Sequence, residues 1–142
     1  MAKNLNKAAA RVLVVDDNHL SVTLIAGLVR RENVAEVFTA KSGFEALEKF
    51  PSLAPHIVFL DIDMKEMDGF ETLLAIKEFG ITTQVVMVSA TATPERVKIA
   101  REGGAVGFLV KPVSQQRIGD AILSCIERAG QEEGAIDLFF ID

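Results

Sequence analysis

The sequence contains a single cysteine, Cys125, and neither tryptophan nor tyrosine among its 142 residues. One cysteine cannot form a disulfide within the chain, so the hydrophobic core has to hold the fold, and a reducing, cytoplasmic location is expected. Cys125 falls on the apolar face of a predicted helix, which indicates a packed thiol and not a nucleophile. A core of sufficient size is available, since 49% of the residues are hydrophobic and a chain of this length buries roughly 68% of its unfolded surface.

Long apolar runs and an excess of basic residues are also missing. No run approaches the roughly 20 apolar residues that a membrane-spanning helix needs, and residues 1–11 lack the apolar segment of a signal peptide. Lys and Arg number 15 against 20 Asp and Glu, for a net charge of −5, so a basic surface for a phosphate backbone is not expected. Export, membrane insertion and direct nucleic-acid binding are therefore not expected.

Five short apolar segments rich in β-branched residues predict strands. Four of them are almost continuously apolar, which is typical of parallel strands covered on both faces. They are residues 12–15, 37–40, 57–60, 85–88 and 108–110.

The segments between these strands have the spacing of amphipathic helices. Leu20, Leu24 and Leu28 repeat every four residues, and the last segment carries an apolar stripe from Ile118 to Ala129 at helical spacing. Strands and helices alternate five times with short connections, so right-handed crossovers predict a doubly wound α/β domain with a parallel sheet between helices. We expect an extension over residues 1–10, one domain over 11–130 and an acidic, then apolar, tail over 131–142.

The strand ends carry the polar residues that suggest chemistry. Strand one is followed by Asp16 and Asp17, strand three by Asp61, strand four by Ser89 and strand five by Lys111. In an open α/β sheet, ligands bind outside the carboxyl ends of the strands, so these side chains are expected to converge. Crowded carboxylates repel one another unless a cation is present, and hard oxygen ligands of this kind suit Mg²⁺.

This set of groups is suited to accepting a phosphoryl group. With a metal bound, one carboxylate can attack phosphorus and form an acyl phosphate. Lys111 and Ser89 would then neutralise or hydrogen-bond the phosphoryl oxygens as charge develops.

Four motifs in order resemble the receiver domain of bacterial two-component response regulators. They are Asp16-Asp17, the segment from Leu60 to Gly69 (LDIDMKEMDG), Ser89-Ala90 and Lys111-Pro112. The resemblance covers about residues 10 to 130 and implies a flavodoxin-like, five-stranded parallel sheet of strand order 2-1-3-4-5. It also implies that Asp61 takes a phosphoryl group from a histidine kinase or histidine phosphotransfer protein.

The resemblance further assigns roles to individual residues. Asp17, Asp61 and the backbone carbonyl of Asp63 would bind Mg²⁺, with Mn²⁺ as a substitute, and Asp16 would hold a metal-bound water. Ser89 and Lys111 would contact the phosphoryl oxygens, and Lys111-Pro112 is expected to be a cis peptide.

Several positions are expected to tune the response. By resemblance, Ser89 and Phe108 form the switch, and Asp63 and Thr91 influence the lifetime of the phosphoryl group. Phe108 replaces a common tyrosine and offers no hydroxyl. Lys65 replaces a common proline, which removes one constraint on the loop after Asp61.

The expected output is a changed surface. No output domain is expected after residue 130, so a protein target would be recognised through helix four, strand five and helix five, around Pro94 to Arg128. The tail residues 138–141 (LFFI) either dock on the domain or engage the partner. The protein is expected to be a regulatory phosphoacceptor of a chemotaxis, motility or phosphorelay pathway, and not an enzyme beyond assisting its own phosphorylation and slow dephosphorylation.

Other functions fit fewer of these features. A receiver-like module that binds a partner without phosphorylation would not need the complete set of acidic, hydroxyl and lysine groups. A haloacid-dehalogenase-type phosphatase would explain Asp61-Ile62-Asp63, but that family carries its Asp-x-Asp motif on the first strand. A flavodoxin-like cofactor carrier is disfavoured because Asp16-Asp17 would repel a phosphate.

Overall fold

The structure is a computed structural model that describes residues 5–80 and 82–129 and the backbone of Phe140–Ile141. The strands are β1 (Arg11–Val15), β2 (Glu36–Ala40), β3 (Ile57–Asp61), β4 (Gln84–Ser89), β5 (Gly107–Val110) and β6 (Phe140–Ile141). The helices are α1 (His19–Arg30), α2 (Gly43–Leu53), α3 (Gly69–Phe79), α4 (Pro94–Glu102) and α5 (Gln115–Ala129), and a 3₁₀ turn covers Lys7–Ala9.

All strands pair in parallel in the order β2-β1-β3-β4-β5-β6. The predicted doubly wound sheet of order 2-1-3-4-5 is confirmed, and a sixth strand of two residues extends it. In the added strand, Phe140 pairs with Gly107 and Ile141 with Phe108. The rest of the predicted tail, including Leu138 and Phe139, lies outside the described residues.

The core consists of one apolar layer on each face of the sheet. Successive strand residues point to opposite faces, so Val12 and Val14 join one layer while Leu13 and Val15 join the other. The first layer is closed by α1 and α5, and the second by α2, α3 and α4. Because the strands are parallel, the polar residues that follow them meet at one edge of the sheet.

Helix α1 exposes two of its three repeated leucines, while Leu28 is half-buried against the core. The four-residue repeat predicts the helix correctly, but Leu20 is 68% exposed and Leu24 is 60% exposed. The buried face consists of smaller or β-branched side chains, which allow the helix to approach the sheet closely: Val22, Ile25, Ala26 and Val29. Helix α1 therefore presents apolar surface to solvent.

Helix α5 buries the stripe that the sequence predicts, including Cys125. The Cys125 side chain is fully buried, and this burial raises its pKa to about 12. The predicted packed thiol is confirmed.

The folded protein is therefore expected to resist thiol reagents. At pH 8 a thiol of pKa near 12 is ionised about a thousandfold less than one of ordinary pKa. We expect iodoacetamide to alkylate the native protein at least a hundredfold more slowly than the urea-unfolded protein, measured by intact mass. Alkylation at equal rates in the two states would contradict the burial of Cys125.

Candidate functional site

Three polar residues at the carboxyl edge of the sheet form the centre of the site. Asp16 directly follows β1, Asp61 is the last residue of β3, and Lys111 directly follows β5. Asp16 is 1% exposed and Asp61 is 4% exposed. The topology places these strand ends at one edge of the sheet, as the sequence predicts, with β1 beside β3 and β5 one strand further along.

Lys111 bridges the two buried carboxylates. Its Nζ lies 2.9 Å from Oδ2 of Asp16 and 2.9 Å from Oδ1 of Asp61. Burial alone would lower the pKa of Lys111, but the hydrogen bonds and charges of the two carboxylates raise its pKa overall. The peptide bond between Lys111 and Pro112 is cis, as predicted.

Asp16, Asp17 and Asp61 form an acidic cluster. Its three carboxylates carry more negative charge than the single positive charge of Lys111 can neutralise. Each contributes one carboxylate oxygen to a group whose members lie within 4.8 Å of one another. The pKa of Asp61 is raised to about 6, first by burial and further by the charges of Asp16 and Asp63, while Lys111 opposes the rise. A cluster of oxygen donors with uncompensated negative charge fits a divalent cation such as Mg²⁺.

Backbone and hydroxyl donors hold the Asp16 and Asp17 carboxylates in place. Asp16 accepts hydrogen bonds from the backbone N–H of Asn18 at 2.9 Å and from the Ser21 hydroxyl at 2.5 Å. Asp17 accepts one from the backbone N–H of Lys65 at 2.9 Å. A proline at position 65 could not donate this bond, so the departure from the family pattern ties the loop after β3 to the cluster.

Ser89 is held by a group that sequence reasoning missed. Its hydroxyl is fully buried and donates to Oδ2 of Asp63 at 3.2 Å, while it accepts from Nη1 of Arg96 at 2.9 Å. Arg96 also contacts both carboxylate oxygens of Asp63, at 2.7 and 3.2 Å. The arginine hydrogen bonds, followed by its charge, lower the pKa of Asp63. Thr93-Pro94 indicates where α4 begins and so places Arg96 in the first turn, but it does not indicate the contact with Ser89.

The remaining predicted positions are Thr91 and Phe108. The Thr91 backbone N–H donates to the Ser89 hydroxyl at 3.0 Å, although Thr91 itself is exposed. Phe108 is fully buried in the core layer under α2, α3 and α4. The structure thus places the Phe108 ring inside the fold, and its backbone pairs with β6.

An apolar groove opens beside Lys111. The exposed leucines of α1 line it together with Lys111, Pro112 and Val113, and its volume is about 470 Å³. Lys111 therefore lines the groove and also contacts two carboxylates of the acidic cluster.

Within the described ranges, none of the helices is both long and apolar enough to cross a membrane.

Comparison with known proteins gives a consistent result. A family model described as the response regulator receiver domain matches residues 12–123. The chemotaxis protein CheY of Listeria monocytogenes is 37% identical over 112 residues, which cover 79% of this chain and 94% of that protein. CheY of Bacillus subtilis is 34% identical over 114 residues, with 80% and 95% covered.

Solved structures show the same similarity. CheY from Borrelia burgdorferi, crystallised as a complex with CheX, BeF₃ and Mg, matches with a TM-score of 0.77 and 33% identity, covering 81% of this chain and 87% of that one. CheY4 of Vibrio cholerae matches with a TM-score of 0.78 and 28% identity, covering 83% and 99%.

Proposed function

Since the chain belongs to the family of response regulator receiver domains, we propose that Asp61 is its phosphoacceptor. The observation that carries this assignment is the pair of 2.9 Å contacts from Lys111 to Asp16 and Asp61 at the carboxyl edge of the sheet. These contacts place the nucleophilic carboxylate of Asp61 next to the ammonium group of Lys111, which can contact a phosphoryl oxygen. The donor is a histidine kinase or a histidine phosphotransfer protein.

The reaction is a transfer of one phosphoryl group. A carboxylate oxygen of Asp61 attacks phosphorus, the bond from phosphorus to the donor nitrogen breaks, and its electron pair stays with the departing imidazole. Lys111 neutralises charge on a phosphoryl oxygen, and the Ser89 hydroxyl donates to another. Burial, which raises the pKa of Asp61 to about 6, still leaves most of the carboxylate ionised at pH 7.

A divalent cation completes this proposal. Asp17, Asp61 and the backbone carbonyl of Asp63 would hold Mg²⁺, or Mn²⁺ in its place, with Asp16 binding a water of the ion. When bound, the ion supplies the positive charge that the three clustered carboxylates and an incoming phosphoryl group require. The bonds from Asn18 and Ser21 keep Asp16 oriented toward the cluster.

Intact mass spectrometry tests the phosphoacceptor directly. Incubation with acetyl phosphate and Mg²⁺ is expected to add one phosphoryl group to the wild type and none to Asp61→Asn. Chelation of Mg²⁺ with EDTA is expected to abolish the gain. No gain in the wild type, or an equal gain in the variant, would refute the assignment and favour a partner-binding module that is not phosphorylated.

The rate at which the protein hydrolyses a phosphate ester distinguishes a receiver from a phosphatase. Asp61-Ile62-Asp63 lies at the end of the third strand, whereas haloacid-dehalogenase-type enzymes carry the motif on the first. The receiver is expected to hydrolyse only its own acyl phosphate, slowly. Repeated hydrolysis of p-nitrophenyl phosphate by the wild type, lost in Asp61→Asn, would show an enzyme instead.

The groove beside Lys111 is where we expect a protein donor to dock. Its exposed leucines offer apolar contact area next to the phosphoacceptor. Leu24→Glu is expected to slow phosphotransfer from a phosphorylated histidine phosphotransfer protein at least tenfold and to leave acetyl phosphate labelling unchanged.

Leu74→Glu provides the control for this experiment. Leu74 lies on α3 and is 59% exposed, close to the 60% of Leu24. Transfer rates slowed equally by both substitutions would contradict docking at the groove, since a general effect of a surface charge would then suffice.

The proposal also covers organisation and output. Residues 11–130 form the receiver domain, 1–10 an extension and 131–142 a tail. Phosphorylation changes the surface of α4, β5 and α5, which a protein target recognises.

The relatives named above are chemotaxis proteins, and a chemotaxis-type pathway in the cytoplasm is the corresponding proposal for this chain. Asp63 and Thr91, which flank Ser89, set the phosphoryl lifetime.

A further inference from the structure

Asp17 differs from the other two carboxylates of the acidic cluster in how it is held. Asp16 accepts hydrogen bonds from three donors, and Asp61 contacts Lys111. Within the part of the chain that the structure describes, Asp17 accepts a single hydrogen bond, from the Lys65 backbone N–H to Oδ2 at 2.9 Å. Asp17 is also only half-buried, so water can replace a partner that is lost. The orientation of the Asp17 carboxylate therefore depends on one backbone donor.

The residues on either side of Lys65 hold this donor in place. Before it, the Met64 side chain is 8% exposed and packs in the core layer under α2, α3 and α4, and the Met64 N–H bonds to the Ile62 carbonyl at 3.0 Å. After it, Glu66 has a φ of 66°, which is uncommon for a residue other than glycine, and the Met67 N–H bonds to the Lys65 carbonyl at 2.8 Å. The backbone at Lys65 is thus restrained, although the residue as a whole is exposed.

The loop after β3, residues 62–68, therefore reaches the proposed cation site in two ways. The backbone carbonyl of Asp63 is a proposed ligand, and Lys65, two residues later, orients a second ligand, Asp17. An ionised carboxylate has about four lone-pair sites, so Asp17 can accept from the Lys65 N–H and still bind a cation. A group that orients a metal ligand in advance raises the affinity for the ion, because the ligand need not be ordered on binding.

We propose that the Lys65 backbone N–H positions Asp17 for binding Mg²⁺, so that the affinity for the ion depends on the loop after β3 and bound Mg²⁺ in turn tightens that loop. A proline at position 65 would restrain φ but could not donate to Asp17. This inference rests on the proposed function, because it takes Asp17 as a ligand of the ion. Lys65 is a positioning residue that acts through Asp17.

Two substitutions at this position separate the N–H from the side chain. Lys65→Ala removes the ammonium group and keeps the backbone donor, whereas Lys65→Pro removes both. The Kd for Mg²⁺ is measured for each variant by titration followed by amide NMR, without a phosphoryl donor. We expect Lys65→Pro to bind Mg²⁺ about tenfold more weakly than Lys65→Ala, at the low end of the effect of losing a group that orients a metal ligand. Lys65→Ala is expected to bind at least as tightly as the wild type, because removing a positive charge does not disfavour a cation.

Urea unfolding of both variants in EDTA separates an effect on the ion from an effect on the fold. A purely structural role of the Lys65 N–H would lower the stability of metal-free Lys65→Pro and leave its Kd for Mg²⁺ equal to that of Lys65→Ala. If Lys65→Pro does not fold, hydrogen exchange in the wild type decides the question.

Hydrogen exchange of the Lys65 amide tests the same coupling without a substitution. Coupling between two equilibria is reciprocal. If opening of the bond to Asp17 weakens Mg²⁺ binding tenfold, saturating Mg²⁺ is expected to slow exchange of the Lys65 N–H about tenfold. The control amide is the Val97 N–H, which closes the first turn of α4 on the Thr93 carbonyl at 3.0 Å and is expected to exchange at an unchanged rate.

The outcomes distinguish this inference from the proposed function. A wild type that does not bind Mg²⁺ overturns the proposed cation site and this inference together. A wild type that binds Mg²⁺, with equal Kd values in the two variants or with unchanged Lys65 exchange, overturns the inference alone. Phosphorylation of Asp61 by acetyl phosphate is measured separately, so its absence in a protein that binds Mg²⁺ refutes the phosphoacceptor and not the role of Lys65.

Discussion

Gly69→Ala is expected to lower the free energy of unfolding by about 3 kcal/mol and to slow phosphorylation of Asp61. A Cβ at Gly69 would lie 2.3 Å from the backbone oxygen of Asp61 and 2.6 Å from the Cα of Ile62. These are backbone atoms at the end of a central strand, so relief requires movement of the phosphoacceptor itself. Urea unfolding followed by far-UV circular dichroism measures the loss, since the chain has no tryptophan or tyrosine.

Gly27→Ala is the control for this prediction. Gly27 lies within α1, and a Cβ there would meet no atom within 4 Å. Alanine is the better helix former, so this variant is expected to gain about 0.4 to 1 kcal/mol and to phosphorylate normally. If Gly69→Ala were as stable as the wild type, the close approach of α3 to the end of β3 would be wrong.

Asp61→Asn is expected to stabilise the metal-free protein by about 2 kcal/mol at pH 7. The pKa of Asp61 is raised from 3.8 to about 6 in the folded protein, mainly by burial. Folding therefore favours the protonated form, and the ionised form destabilises the fold above pH 6. Asparagine removes this cost but also loses one of the two Lys111 contacts, so the gain is smaller than the full shift would give.

The pH dependence has a defined sign. Because the folded pKa lies above the unfolded one, the wild type gains stability relative to Asp61→Asn as pH falls through 6 toward 4. The difference between the two proteins is expected to be largest near pH 7 and to close near pH 4. Thermal unfolding of both proteins over this range, in EDTA, measures it.

Mg²⁺ is expected to stabilise the wild type but not Asp61→Asn. A ligand that binds only the folded state stabilises it by mass action, so added Mg²⁺ is expected to raise the unfolding midpoint of the wild type and not that of Asp61→Asn. Asp120→Asn, which removes an exposed carboxylate on α5, is expected to behave as the wild type. If Mg²⁺ raised the unfolding midpoint of Asp61→Asn as much as that of the wild type, Asp61 would not be a metal ligand.

The sequence predicts the fold and the acidic cluster for the same physical reason. Parallel strands buried on both faces are almost entirely apolar, so the residue where each becomes polar marks its end. Asp16, Asp61 and Lys111 could be placed together on this basis, because the carboxyl ends of parallel strands share one edge. Their proximity follows from topology and needs no knowledge of side-chain conformation.

The features that the sequence does not reveal depend on side-chain reach or backbone position. The leucine repeat of α1 predicts a helix but not which face packs, because smaller residues on the other face fit the sheet more closely. Arg96 reaches Ser89 through a long side chain, and nothing in its spacing singles it out. The hydrogen bond from Lys65 to Asp17 is made by a backbone N–H, which every residue except proline possesses.

Strand β6 changes what the edge of β5 can bind. Without it, Gly107 and Phe108 would present unpaired backbone groups to any extended segment. Phe140 and Ile141 pair with them instead, so an extended peptide can pair with Gly107 and Phe108 only by displacing Phe140–Ile141. The affinity of such a peptide is reduced by the fraction of molecules in which β6 is paired, and because β6 has only two residues, displacing it costs little free energy.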